Sequence, residues 1–194
     1  MDRTVGIIEF AHCGTTMVAG ICHILGVPMV SENYKRNKLE DLDVINTIAD
    51  EQAFAKLVKE RNERHGTWGF KRPGAWTFPD SLVHLRNPIY LAIYKDPVSV
   101  THRRFGGSQI RLSHKIRNTG RQMKHTIDGI YAWNPSVHFL SYCRAIIAPK
   151  QFVQEIAEVI QIDPSEEAFN KAVRFIRPNV GSPIRPYAEA DSWI

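Results

Sequence analysis

Cysteine is scarce in this chain, and what little there is forms no pattern. Cys13, Cys22 and Cys143 are the three cysteines in 194 residues, and their spacing is not that of a zinc finger or ribbon. The eight histidines (His12, His23, His65, His84, His102, His114, His125 and His138) include no H-x-x-x-H pair and no cluster with cysteine. These absences argue against a metal site, so no metal is expected. An odd thiol count fits reduced cysteines in a cytoplasmic protein. No apolar run approaches the roughly 20 residues that span a bilayer. The N-terminal stretch shows no basic leader or small-residue cleavage site, because Glu9 and His12 interrupt its apolar start, so it does not read as a signal peptide. Repeats and low-complexity runs are also missing.

What is present is an ordinary globular composition, 43% apolar and 23% charged. The length suits one domain over residues 1–194 with one sizeable core. Twenty-five basic against 20 acidic residues give a net charge of +5. That excess points to an anionic partner without naming it: a nucleotide, nucleic acid, sulfated product or anionic lipid would all fit.

Patterning along the chain predicts alternating strands and helices. Residues 4–10 read as a mostly buried strand. Residues 14–26 place Val18, Ile21, Cys22 and Leu25 at helical spacing, with Gly26 as the stop. The stretch 38–64 reads as two amphipathic helices divided at Asp50, a natural cap. Residues 67–71 form a short strand, closed by a turn at Arg72-Pro73-Gly74. A helix at 78–86 leads to a strand at 89–94, and Asp96-Pro97 opens the next helix. Residues 108–131 make a basic helix, 137–142 a further strand and 149–161 an amphipathic helix. A last helix starts at Asp163-Pro164-Ser165, and the tail from Arg177 reads as irregular. Such alternation implies a parallel sheet covered on both faces.

The strongest local signal is Phe10-Ala11-His12-Cys13-Gly14-Thr15-Thr16, at the junction of the first strand and helix. A strand that ends in a tight loop opening a helix aims free N–H groups at one spot, and the helix dipole favours negative charge there. Gly14 permits close approach of the backbone to a phosphate. Thr15 and Thr16 supply hydroxyl donors. A nucleoside-triphosphatase loop would carry lysine where Thr15 stands, so a kinase or hydrolase of that class is disfavoured. An ordinary strand-to-helix turn would also place a glycine there.

This segment resembles the 5′-phosphosulfate loop of the sulfotransferase family, P-[KR]-S-G-T-T. Gly14, Thr15 and Thr16 match, while Ala11, His12 and Cys13 take the places of Pro, Lys or Arg, and Ser. Lys95-Asp96-Pro97 with Arg103 resembles the family's 3′-phosphate region, with Lys95 in place of an arginine and Arg103 where many members have serine. Trp68-Gly69-Phe70-Lys71-Arg72-Pro73 resembles the W-G-x-K-x-P segment of sulfotransferase-like members, and Phe139-Leu140-Ser141-Tyr142 a structural strand near the family's C-terminal end. Together these cover about residues 4–162.

The resemblance implies a three-layer α/β/α fold with a central parallel sheet, P-loop-like and of the sulfotransferase type. It implies transfer of a sulfuryl group from 3′-phosphoadenosine 5′-phosphosulfate to a hydroxyl or amine of a small molecule or glycan. Cys13, Gly14, Thr15 and Thr16 would hold the 5′ end, and Lys95 and Arg103 the 3′-phosphate. His12 and Lys71 would neutralise charge on the sulfuryl oxygens and the leaving group. His12 would act as imidazolium or as a neutral donor. The departures at His12 and Cys13 keep a second possibility open, a domain that binds a nucleotide or anion without chemistry. The basic stretch 111–125 reads as a solvated helix face, with neither membrane nor nucleic acid as the expected partner.

Overall fold

The computed structural model describes residues 2–8, 13–29, 34–35, 39–105 and 112–176, the side chains of 34–35, 102–105 and 112 excepted. The chain opens with β1 (Arg3–Ile7) and α1 (Thr15–Ile24), then a short antiparallel ribbon of β2 (Tyr34–Lys35) and β3 (Glu40–Asp41). Next come α2 (Leu42–Thr47), α3 (Glu51–Arg64), β4 (Thr67–Lys71), a 3-10 turn (Ala75–Thr77) and α4 (Pro79–Leu82). The remainder is β5 (Ile89–Tyr94), α5 (Pro97–Phe105), α6 (Leu112–Trp133), β6 (Val137–Ser141), α7 (Tyr142–Ile147), α8 (Pro149–Ile160) and α9 (Glu166–Phe175).

Four parallel strands pair in the order β4-β1-β5-β6. Strand residues alternate between the two faces, as a pleated strand requires. Val5, Ile7, Leu91, Ile93 and Leu140 face one core with α1, α7, α8 and α9. Trp68, Phe70, Tyr90 and Ala92 face the other, with α2, α3, α4 and Ile130 of α6. The result is the expected three-layer α/β/α arrangement around a parallel sheet. None of the described helices is long and apolar enough to cross a membrane.

Local signals set most boundaries. Asp41, Asp50 and Ser165 accept hydrogen bonds from first-turn N–H groups of α2, α3 and α9, which fixes where those helices start. Past α1, Gly26 holds φ +101; its N–H bonds to the His23 carbonyl and that of Val27 to the Cys22 carbonyl. This left-handed closure ends the helix.

Several sequence-based boundaries need correction. The first strand ends at Ile7 rather than 10, and residues 9–12 lie outside the described residues. The helix expected at 78–86 is one helical turn, Pro79–Leu82, preceded by the 3-10 turn at Ala75–Thr77. Residues 39–41 are not helical, because Asp41 is the extended cap of α2. The strand expected at 137–142 stops at Ser141, whose hydroxyl accepts from the Arg144 N–H and turns Tyr142 into the first residue of α7. The tail, about 177–194, lies outside the described residues.

Candidate functional site

Strand order creates the site. From β1 the chain passes through α1 to β4 on one side, crosses back to β5 on the other, and continues outward to β6. The carboxyl ends of β1 and β5 therefore flank a topological switch point, the place where open parallel sheets bind ligands. Ile7 stands opposite Lys71, and Tyr94 opposite Ser141. Register thus brings four positions to one edge: Gly14, Lys71, Lys95 and Tyr142.

Gly14 caps α1 with φ +111 and ψ 18, a left-handed conformation that disfavours any residue with a Cβ. Among the described residues no side chain caps this helix or α8, whereas α2, α3, α7 and α9 each have one. A helix start without a side-chain acceptor is suited to an external anion. Thr16 follows in the first turn, and its hydroxyl lies 3.2 Å from Lys71 Nζ. The strand-end lysine and the helix threonine, 55 residues apart in sequence, thus converge. Lys71 is itself buried, 2% exposed.

Lys95 lies just beyond β5, with its ammonium 4.4 Å from the centre of the Tyr142 ring. That ring also packs against Gly14: a Cβ built there would meet Tyr142 Cδ2 at 2.8 Å. Asp96, the next residue, accepts from the Ser99 N–H at 2.8 Å. Hydrogen bonds from the Ser99 hydroxyl and N–H hold its carboxyl below the usual carboxylate range. The start of α5 is thereby fixed immediately after Lys95. The Thr101 hydroxyl then links α5 to Thr119 of α6 at 2.9 Å.

The other expected site residues fall out as follows. Thr15 is buried at the start of α1. The Cys13 side chain is wholly buried in the core. Arg103 falls in α5, with its side chain outside the described residues, and His12 lies outside them altogether. Sequence reasoning missed two participants. Tyr142 read as a structural strand residue, yet it touches both Gly14 and Lys95. Glu40 carried no motif, yet its carboxylate reaches to 3.6 Å from Lys71 Nζ.

No protein-family model matches the sequence, and no curated protein sequence matches it. Solved structures do resemble it in fold. A Mycobacterium tuberculosis sulfotransferase superposes with a TM-score of 0.56 at 12% identity, over 90% of this chain and 71% of that one. A retinol dehydratase in complex with androsterone and inactive cofactor PAP gives 0.52 at 12% identity, over 90% and 64%. A mouse sulfotransferase complexed with PAP gives 0.52 at 10% identity, over 91% and 65%. The chain thus spans just under two thirds of the length of the last two. At these identities the likeness is one of fold: a P-loop-like α/β/α sheet of the sulfotransferase type.

Proposed function

We propose that this protein is a sulfotransferase-like transferase. Its donor is 3′-phosphoadenosine 5′-phosphosulfate, and its acceptor a hydroxyl or amine of a small molecule or glycan. The observation that carries this reading is the 3.2 Å contact between Lys71 and Thr16 at a helix N-terminus on the switch-point edge that no described side chain caps. There, N–H groups, hydroxyls and a cation meet, and a phosphosulfate needs those three kinds of partner. The fold neighbours crystallised with PAP support the same donor class.

In this reading the amides at Gly14–Thr16 hold the 5′-phosphosulfate, and Lys95 with Arg103 holds the 3′-phosphate. A lone pair of the acceptor forms the new bond to sulfur as the sulfur–oxygen bond to the 5′-phosphate breaks. The bonding electrons leave on that phosphate, as adenosine 3′,5′-bisphosphate, and the acceptor's proton leaves to a base or water. Negative charge grows on the departing oxygen, so Lys71, and His12 when protonated, lower the barrier by stabilising it. Replacing Lys71 with Met is expected to cut turnover by about a hundredfold or more.

A calorimetric titration with adenosine 3′,5′-bisphosphate tests the reading. Saturable binding is expected, and no heat at millimolar ligand would overturn it. A second reading, nucleotide binding without transfer, is favoured by one feature: the Cys13 thiol sits in the core where the family's serine would offer a hydroxyl. Turnover of labelled phosphosulfate by the unmodified protein excludes that second reading.

A further inference from the structure

Lys71 and Glu40 form an ion pair at 3.6 Å, with side chains 3% and 15% exposed. Glu40 arrives on β3, which lies against β4 at the edge of the sheet. Both its neighbours are anchored. Leu39 holds φ +51 with its side chain buried in the core, a conformation that a bulky residue adopts only when its surroundings enforce it. Asp41 is fully buried, caps α2 and pairs with Arg61. The carboxylate of Glu40 is therefore a fixed charge at the site rather than a mobile surface group.

A buried ammonium without a counter-charge is strongly disfavoured, and Glu40 supplies one before any ligand arrives. The same carboxylate then opposes a second anion at Lys71, and its opposition grows with the charge of that anion. A terminal sulfuryl group carries one negative charge; a terminal phosphoryl group carries up to two near neutral pH. We infer that Glu40 sets the charge selectivity of the site, favouring a singly charged terminal sulfuryl group over a more highly charged terminal phosphoryl group at Lys71. The inference rests on the proposed donor reading and deepens it.

The test compares two nucleotides of the same shape, 3′-phosphoadenosine 5′-phosphosulfate and 3′-phosphoadenosine 5′-diphosphate, by calorimetry. The unmodified protein is expected to prefer the phosphosulfate by about tenfold, the effect of one extra like charge held nearby at intermediate dielectric. Glu40→Gln should bind both more tightly, the diphosphate gaining more, so that the ratio approaches one, while Glu40→Asp should keep the preference. A purely structural residue would weaken binding instead. Equal or tighter binding of the diphosphate by the unmodified protein overturns the inference with no variant needed, and so does an unchanged ratio in Glu40→Gln. If neither nucleotide binds, the donor reading fails, and inorganic pyrophosphate still probes the charge. Tighter pyrophosphate binding by Glu40→Gln then upholds the role of Glu40, and equal binding removes it.

Discussion

The ammonium of Lys95 sits over the face of the Tyr142 ring, 4.4 Å from its centre, and the same ring occupies the space beside Gly14. One aromatic side chain therefore ties the end of β5 to the start of α1. A lysine on a flexible stem is a poorly defined donor; against an aromatic face it is held in one place.

Tyr142 should accordingly govern affinity. Tyr142→Ala is expected to weaken binding of adenosine 3′,5′-bisphosphate by about tenfold, since a partly desolvated cation–π contact contributes about 1–2 kcal/mol. Tyr142→Phe keeps the ring and should stay within about threefold of the parent, because the contact is made by the π face rather than the hydroxyl. Calorimetry on the two variants checks both, and equal losses would show that the hydroxyl matters instead.

Gly14 makes a complementary prediction. Gly14→Ala places a Cβ at φ +111 and 2.8 Å from Tyr142 Cδ2, and should cost about 1–3 kcal/mol of stability. In the double variant Gly14→Ala/Tyr142→Ala the steric part disappears and the backbone part remains. Urea unfolding of the four proteins measures the coupling, which should be at least about 0.5 kcal/mol. Additive losses would mean that the ring can move aside.

Asp96 gives a pH dependence with a definite sign. Hydrogen bonds from Ser99 lower its folded-state pKa, so the folded protein holds this group deprotonated more readily than the unfolded chain does. Its stabilising contribution is thus present above the unfolded pKa of about 4 and lost as pH falls through the lower, folded value. Asp96→Ala should lower the melting temperature at pH 7, and the difference from the parent should shrink below about pH 4. A difference that persists at low pH would place the effect elsewhere.

The thiols should separate by burial. Cys13 and Cys22 are buried and Cys143 is exposed; burial pushes the Cys22 thiol up to about 12, away from the reactive thiolate. An aromatic disulfide reagent at pH 8 should label Cys143 quickly and the other two only on unfolding. Mass spectrometry of the labelled native protein reads this directly.

Much of the fold was legible in the residues themselves. The strands at 67–71 and 89–94 fall where expected because their signals are local: short β-rich runs bounded by turn residues. Helix starts at Asp50 and Ser165 were legible for the same reason, since a cap acts on N–H groups only two or three residues away. The Gly14-Thr15-Thr16 turn could be recognised because a glycine stands directly before a helix start, a few residues after a strand. The ribbon of β2 and β3 was not legible. Two-residue strands leave no periodic trace, and β3 is held by packing on β4.

Sequence alone determined the parallel α/β layering, the loop at Gly14, and Lys71 and Lys95 as strand-end cations. Tertiary structure decided which side chains those cations meet. Glu40 reaches Lys71 because β3 packs against β4, and Tyr142 reaches Gly14 because it opens α7 directly after β6, which lies beside β5. The Tyr142 contact depends on the order of strands across the sheet, and the Glu40 contact on the ribbon packed against β4. That order is set by how the two cores pack, which no short stretch of residues encodes.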